Sequence, residues 1–384
     1  MIPYGKQDII NSDINAVVNV LKSEYLTQGP VIEKFEEKLS SYCGSNFAIA
    51  VNSATSALHI SCLALGVGKG DIVWTSPNSF VASGNCALYC GAEVDFVDIS
   101  LKTYNISISK LKEKLEKAKK INKLPKVVIP VHYAGQSCDM KEIYQLSINY
   151  GFRIIEDASH AIGSSYRNQK VGSCKYSDIT VFSFHPVKII TTGEGGLATT
   201  NNQDLARQLK VLRTHGITRD HLAMHDKPEG DWFYEQSTLG FNYRMTDFQA
   251  ALGISQLERI DSFVKKRQAL RDWYTSKLSK LPIICPYQSE NCYSAVHLYP
   301  ILISKSCKKN RKELFDELRK KGILVNVHYR PIHTQFFYKK LGFSEGQFPN
   351  SEYFYQNEIS LPIFPKLEKL QQKKVVDTIR DYIS

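Results

Sequence analysis

Residues 183–196 place one lysine, Lys188, among apolar side chains, between a predicted strand and a glycine-rich turn. An ammonium group withdrawn from water shifts toward the neutral amine, because burial penalises the charged form. The neutral amine is the form that attacks a carbonyl carbon. The segment therefore indicates covalent carbonyl chemistry at Lys188; a surface lysine on a turn is the alternative.

A second segment ends a predicted apolar strand in an acid, Asp157, followed three residues later by His160. A carboxylate at the end of a buried strand is costly unless it meets a cation or hydrogen-bond donors. Asp157 is therefore a candidate partner for a positively charged ligand group. A structural salt bridge or a helix cap would explain this residue equally well.

A third segment, residues 51–56, runs from a strand end directly into a helix and consists mainly of small and hydroxyl side chains, including Ser53 and Thr55. The free N–H groups and the dipole of a helix start stabilise a phosphate. Serine and threonine at this position also serve as ordinary helix caps, which is the alternative.

Taken together, the three segments meet the requirements of pyridoxal phosphate. Its phosphate needs N–H and hydroxyl donors, its pyridine nitrogen needs a carboxylate that keeps it protonated, and its aldehyde needs a lysine. We therefore predict that the protein binds this cofactor through Lys188 and Asp157.

The elements that position these residues alternate between apolar strands and helices, which is typical of an α/β fold with a parallel sheet covered on both faces. Ligands of such sheets collect beyond the carboxyl ends of the strands. The predicted strands are 47–51, 71–75, 92–99, 126–133, 152–158, 179–184 and 196–200.

The remainder of the chain predicts a long amphipathic helix from about Thr246 toward Leu281, followed by a smaller mixture of strands and helices. A chain of 384 residues exceeds the usual size of one core. We therefore predict two units: an N-terminal arm with a large cofactor-binding domain (1–245), and a connecting helix with a small C-terminal domain (246–384).

Composition excludes several classes of protein. Hydrophobic residues make up 43% and charged residues 23%, which is typical of a folded chain and not of a disordered one. No membrane-spanning stretch or secretory signal is visible, and the nine cysteines show no close pairs typical of zinc sites, so a cytoplasmic protein with reduced thiols and no metal is expected. The net charge of +11 is spread out and predicts neither nucleic-acid nor membrane binding.

At the level of motifs, the sequence resembles the DegT/DnrJ/StrS family of sugar aminotransferases, a branch of the type I (aspartate aminotransferase-like) pyridoxal phosphate enzymes. The resemblance implies a large domain with a central, mostly parallel seven-stranded sheet and a smaller α+β C-terminal domain. It rests on YLTQGPVIEKFEEKLSSYCG (25–44), VNSATSALHISCLALG (51–66), VHYAGQ (131–136), IIEDASHAIG (154–163), SFHPVKIITTGEGG (183–196), LGFNYRMTDFQAALGISQLERID (239–261), HYRPIH (328–333) and SLPIFP (360–365).

The resemblance also implies roles for individual residues. Lys188 would bond to the cofactor aldehyde and carry protons, Asp157 would pair with the pyridinium nitrogen, and His160 would lie near the ring. Some family members are dehydratases with histidine in the lysine position, so Lys188 favours transamination. The phosphate would be held by Ala54, Thr55 and Ser183, and by Asn242 from the neighbouring subunit of a homodimer. The remaining cofactor contacts would be Ser53 and Phe80, for which a core position is the alternative.

A narrower resemblance is to the PseC-type transaminases of pseudaminic acid biosynthesis, a precursor pathway for surface glycans and flagellin glycosylation. It implies transfer of an amino group from L-glutamate, leaving 2-oxoglutarate, to a UDP-linked 4-keto-6-deoxy-N-acetylhexosamine. The implied substrate contacts are Tyr4, Tyr25, Leu26, Thr27, Gln28, Ser53, His328, Tyr329, Arg330 and Pro331.

Two alternatives remain open at this point. One is the same fold acting on another nucleotide keto-sugar, of the perosamine, viosamine, bacillosamine or 3-amino type. The other is a cofactor-binding regulator, which would be expected to carry a helix-turn-helix segment ahead of the cofactor fold. Only about 45 residues precede the first sheet strand here, and they match the enzyme family's own entry segment.

Overall fold

The computed structural model describes residues 1–220 and 224–383. No helix within these residues is both long and apolar enough to cross a lipid bilayer. In chain order the helices are α1 (Asn11–Leu21), α2 (Pro30–Cys43), α3 (Ala54–Ala64), α4 (Ala82–Tyr89), α5 (Ile108–Lys120), α6 (Met140–Tyr150), α7 (Gln203–Arg213), α8 (Asp247–Leu257), α9 (Ile260–Leu278), α10 (Arg311–Lys320), α11 (Phe336–Lys340), α12 (Pro349–Asn357) and α13 (Lys369–Ile383).

The strands contain two to five residues each. In chain order they are β1 (Ile2–Pro3), β2 (Phe47–Val51), β3 (Ile72–Thr75), β4 (Glu93–Phe96), β5 (Val127–Ile129), β6 (Arg153–Asp157), β7 (Ser165–Tyr166), β8 (Gln169–Lys170), β9 (Ile179–Ser183), β10 (Gly196–Thr200), β11 (Ile217–Thr218), β12 (Glu235–Gln236), β13 (Ile283–Ile284), β14 (Cys292–Tyr293), β15 (Tyr299–Ile303), β16 (Ile323–Leu324) and β17 (Glu358–Leu361).

The central sheet has seven strands in the order β2-β10-β9-β6-β5-β3-β4. Only β10 runs antiparallel to its two neighbours, β2 and β9, while the remaining pairs are parallel. Every predicted strand is present, and the mostly parallel α/β fold is confirmed.

Both faces of this sheet are covered by helices, which is why a single strand buries apolar side chains on both sides. In β2, Ile49 and Val51 pack into the core formed with α3, α4 and α7. The alternate residues Ala48 and Ala50 pack into the core formed with α2 and α8. Successive side chains of a strand point to opposite faces, so one strand serves both cores.

The C-terminal part has a core of its own, built on the antiparallel sheet β13-β15-β17 with α9, α10 and α13. The first residues of the chain join it, because β1 pairs in parallel with β16 and Ile2 is buried there. This pairing carries the following residue, Tyr4, toward the large sheet. The division of the chain at residue 245 remains our proposal.

The prediction of one long helix from Thr246 is wrong, because the structure has two helices, α8 and α9, separated at Arg259. The backbone of Arg259 leaves the helical region (φ −109°, ψ 1°). Its guanidinium donates to the carboxylate of Asp13 and to the carbonyl of Asp8, which ties the break to the N-terminal segment. Since apolar residues continue on both sides of the break, the sequence pattern did not indicate it.

Candidate active site

The carboxyl ends of β2, β6 and β9 open into one cavity of about 860 Å³, within the range of small-molecule sites. Tyr4 of the N-terminal segment and residues 326–329 of the C-terminal part line its other side. Its lining residues are Tyr4, Asn52, Ser53, Ala54, Thr55, Ser56, Leu58, Ser79, Phe80, Ala82, Val131, Asp157, Ser159, His160, Ser183, His185, Val187, Lys188, Glu194, Gln249, Asn326, Val327, His328 and Tyr329.

Lys188 lies in the tight turn after β9, where its backbone N–H donates to the carbonyl of His185 at 2.9 Å. The alternative of a surface lysine is wrong, because the side chain lines the cavity. Burial lowers the pKa of Lys188 to about 8, while the charge of Asp157 acts in the opposite direction. A substantial fraction of the amine is therefore neutral near physiological pH.

Asp157 ends β6 and is only 4% exposed. One oxygen, Oδ1, accepts from the backbone N–H (3.1 Å) and hydroxyl (2.6 Å) of Ser159. The other, Oδ2, accepts from the hydroxyl of Ser83 at 2.6 Å, and Ser83 lies 2.6 Å from the hydroxyl of Ser79. These donors fix the orientation of the carboxylate at the base of the cavity.

His160 is buried beside Asp157 and is held through both ring nitrogens. The backbone N–H of Ala134 donates to Nδ1 (3.3 Å), so the ring proton lies on Nε2, which donates to the hydroxyl of Tyr329 at 3.0 Å. Burial, together with the positive charge of Lys188, lowers the pKa of His160 well below its usual value. The ring is therefore neutral when it faces the cavity.

The N-terminus of α3 forms an anion cradle. Ser53 is the helix cap and accepts from the backbone N–H of Ser56 at 3.1 Å, while the N–H groups of Ala54 and Thr55 have no partner within the helix. The helix end lies against β10 at Gly196, where an added Cβ would be 2.4 Å from the backbone nitrogen of Ala54. Ser53 can therefore cap the helix while the same helix start binds an anion, because the cap leaves the N–H groups of Ala54 and Thr55 free.

These groups fit pyridoxal phosphate. A lysine amine, a fixed buried carboxylate and an anion cradle all face one cavity large enough for the cofactor and a second ligand. Phe80, whose core position was the alternative, is 59% exposed and also lines the cavity. Ser183 lines it at the end of β9.

Other predicted residues do not reach this cavity from their own chain. Asn242 is exposed, and its backbone carbonyl accepts from Asn52 at 3.4 Å. The predicted substrate loop, which consists of Tyr25, Leu26, Thr27 and Gln28, does not line the cavity either. Tyr25 and Leu26 are 54% and 48% exposed.

The predicted substrate contacts of the HYRP motif divide into two pairs. His328 and Tyr329 line the cavity, as does Tyr4. Arg330 does not, because its guanidinium donates to the hydroxyl (3.3 Å) and the carbonyl (2.9 Å) of Thr334. The next residue, Pro331, is held in the same turn, where its carbonyl accepts from the Thr334 hydroxyl at 2.8 Å.

Sequence reasoning missed several residues of the site. Ser83, which holds Asp157, lies on α4, and nothing in the local pattern of that helix singles it out. Asn326 lies just ahead of the HYRP motif, and Glu194 and Gln249 lie inside motifs that were recognised without these two residues being singled out. Ser159 could have been found, since it lies between Asp157 and His160 in the strand-end segment.

Comparison with known proteins gives matches along the whole chain. The profile of the DegT/DnrJ/EryC1/StrS aminotransferase family matches residues 7–380. The UDP-4-amino-4,6-dideoxy-N-acetyl-beta-L-altrosamine transaminase of Campylobacter jejuni is 40% identical over 380 residues, covering 99% of this chain and 96% of the relative.

Two solved structures have the same fold. One is Spr1654 from Streptococcus pneumoniae, assigned as a sugar aminotransferase and solved in its pyridoxamine phosphate (PMP) form, with TM-score 0.90, 32% identity, and coverage of 99% of this chain and 98% of that one. The other is Helicobacter pylori PseC, an aminotransferase involved in pseudaminic acid biosynthesis, with TM-score 0.89, 32% identity, and coverage of 100% and 99%.

Proposed function

The chain belongs to the DegT/DnrJ/EryC1/StrS aminotransferase family, and on that premise we propose that it converts a UDP-linked 4-keto-6-deoxy-N-acetylhexosamine into its 4-amino sugar. It is a pyridoxal phosphate-dependent sugar aminotransferase, whose substrates are a nucleotide keto-sugar and an amino donor. The likeness to the Campylobacter jejuni transaminase along 99% of the chain carries the choice of sugar. Glutamate is the proposed donor, and pseudaminic acid biosynthesis the proposed pathway.

In this proposal Lys188 moves the protons. Bound pyridoxal phosphate supplies an electron-withdrawing ring that stabilises negative charge on the carbon next to the transferred nitrogen. The neutral amine of Lys188 accepts a proton from the donor's Cα in the first half of the reaction and delivers a proton to the sugar carbon in the second. Its lowered pKa suits both tasks, since an acid–base group works best with a pKa near the operating pH.

Three other features hold the ligand in our proposal. Asp157, fixed by Ser83 and Ser159, keeps the pyridine nitrogen protonated. The free N–H groups at the start of α3 bind the phosphate. The neutral ring of His160 lies beside the cofactor without adding a second positive charge next to Lys188.

We also propose that the functional unit is a homodimer with shared sites. Among the described residues that line the cavity, Lys188 is the one lysine and none is arginine, although the phosphate, the diphosphate and the donor carboxylates are all anionic. The exposed Asn242 is free to reach a partner's phosphate. Helix α1 and the following loop also expose Ile14, Leu21, Tyr25 and Leu26, apolar side chains that a subunit interface would cover.

The substrate proposal is tested by offering the purified protein UDP-4-keto sugars of both C5 configurations, with glutamate, and identifying the product by NMR. We expect a primary amine at C4 of the beta-L-altro sugar and formation of 2-oxoglutarate. Amination only of another nucleotide keto-sugar, or only at C3, would overturn the proposed substrate while leaving the sugar aminotransferase activity in place.

A further inference from the structure

A buried series of hydrogen bonds runs from the cavity into the C-terminal core. His328 lines the cavity, and its Nδ1 lies 2.8 Å from the hydroxyl of Ser360. Ser360 donates to Oε1 of Glu358 at 2.5 Å, and the backbone N–H of His328 donates to Oε2 of Glu358 at 2.9 Å. Glu358 is fully buried, and the proposed mechanism uses neither Glu358 nor Ser360.

The direction of this series is set at its cavity end by Asn326. The backbone N–H of Val327, which can only donate, donates to Oδ1 of Asn326 at 2.9 Å. The amide nitrogen Nδ2 of Asn326 is therefore the atom that lies 3.3 Å from Nε2 of His328. Because an amide nitrogen donates, Nε2 accepts and carries no proton.

The remaining bonds then follow in one order. The ring of His328 is neutral, because burial and the charge of Lys188 lower its pKa to about 3. Its single proton is therefore on Nδ1 and is donated to Ser360, whose hydroxyl is left to donate to Glu358. Asn326 has one further Nδ2 hydrogen, and this side chain lines the cavity.

We propose that Asn326 is a specificity-determining residue that donates a hydrogen bond from Nδ2 to an oxygen of the nucleotide sugar. Ser360 and Glu358 are positioning residues, because they accept in turn from Nδ1 of His328 and so support the tautomer whose Nε2 accepts from Asn326. This inference rests on the proposed function for the identity of the ligand, but the hydrogen-bond series is independent of any substrate.

The first test is the tautomer of His328 in the holoenzyme, read by ¹⁵N NMR of histidine-labelled protein in wild type, E358Q and the N326D/E358Q double variant. Burial raises the pKa of Glu358 to about 8, so the spectra are recorded at about pH 9, where this carboxyl is ionised. The new carboxamide must point its oxygen at the backbone N–H of His328 and its nitrogen at Ser360. Ser360 then donates to Nδ1, which opposes the donation from Asn326 at Nε2, and N326D removes this opposition. We therefore expect Nδ1–H in wild type and Nε2–H in the N326D/E358Q double variant; the same tautomer in both would overturn the inference.

A second variant keeps the test decisive if E358Q is unstable. In N326D both side-chain oxygens accept. One of them then faces the unprotonated Nε2 of His328, and two acceptors oppose each other unless the ring proton moves to Nε2. In the N326D/E358Q double variant every donor of the series again faces an acceptor, and each hydrogen bond runs in the opposite direction to wild type. We expect the double variant to melt at a higher temperature than either single variant; additive losses would contradict a directed series.

The third test concerns the substrate. N326A removes the donor, so we expect the KM for the nucleotide sugar to rise about tenfold while the half-reaction with the amino donor keeps its rate. The matched control is T275V, which removes a hydroxyl bonded to Tyr299 in the same C-terminal core. An unchanged KM in N326A would overturn the role of Asn326, whereas failure of the wild type to use any UDP-keto-sugar would overturn the proposed function and leave the NMR and melting results to decide the series.

Discussion

Lys188 can perform its proposed proton transfers only if its amine is neutral for part of each cycle. Burial supplies this condition, lowering its pKa to about 8 against the opposing charge of Asp157. Burial, together with the positive charge of Lys188, lowers the pKa values of His160 and His328, so one lysine is flanked by two neutral imidazoles. At the scale of residues, the site therefore places one titrating amine, that of Lys188, beside two imidazoles that stay neutral.

The Lys188→Ala variant should lose turnover by at least about 10³-fold, because general acid–base catalysis contributes on the order of 10²–10⁴ and the covalent step is lost as well. Binding of pyridoxamine phosphate, measured by equilibrium dialysis, should remain close to wild type. The control is Lys114→Ala, a partly buried lysine that lines a different crevice and should leave activity intact. A substantial residual rate in the Lys188 variant would refute its assigned role.

Glu358 gives a prediction for the dependence of stability on pH. Its pKa rises to about 8 in the folded protein through burial, whereas an unfolded glutamate titrates near pH 4.3. Between these values the folded state holds a proton that the unfolded state lacks, so the contribution of Glu358 to stability falls as the pH rises. Urea unfolding should show the free energy of wild type relative to E358Q decreasing across this window and levelling off above it; a difference independent of pH would contradict the shift.

At the scale of elements, sequence patterns predicted the large sheet well, because a strand buried on both faces carries consecutive apolar residues, as at Ile154 and Ile155 of β6 and at Val181 and Phe182 of β9. Lys188 and Asp157 were predictable because each lies beside such a strand. The contacts of Ser83 with Asp157 and of Glu358 with His328 join residues 74 and 30 positions apart. No local pattern records such contacts, and none records the break at Arg259 or the turn of Arg330 toward Thr334.

The approach of α3 to β10 leads to a prediction at Gly196. In Gly196→Ala the new Cβ would lie 2.4 Å from the backbone of Ser53 and Ala54, so the start of α3 must move. We expect a loss of about 1–3 kcal/mol in the free energy of unfolding and weaker binding of pyridoxal phosphate. Gly68→Ala is the matched control, since that position has open space around it. Equal behaviour of the two variants in thermal melts and cofactor titrations would show that the close approach has no role.

At the scale of the whole molecule, charge is distributed unevenly between chain and site. The sequence carries a surplus of +11, yet Lys188 is the one lysine, and no arginine occurs, among the described residues lining the cavity. The ligands of a sugar aminotransferase are anionic, and we propose that cationic or amide donors from outside this lining complete the site. A partner subunit carrying Asn242 is our proposed source.

Mixing two impaired variants tests this sharing directly. In a hybrid of Lys188→Ala and Asn242→Ala chains, one site would combine an intact Lys188 with an intact Asn242 from the other chain. Refolding the two variants together at equal amounts should therefore recover about a quarter of wild-type activity, since half of the dimers are hybrids with one intact site each. If activity is not recovered although mass spectrometry verifies hybrid dimers, Asn242 acts in the site of its own chain.

The central claim is that the Nζ atom of Lys188 bonds covalently to pyridoxal phosphate, and borohydride reduction tests it most directly. The holoenzyme is reduced, digested, and its peptides are analysed by mass spectrometry. We predict one pyridoxyl-labelled peptide, containing Lys188, and loss of the label when glutamate is added before reduction. A label on another lysine, or no label in a protein that holds the cofactor in its aldehyde form, would contradict the account.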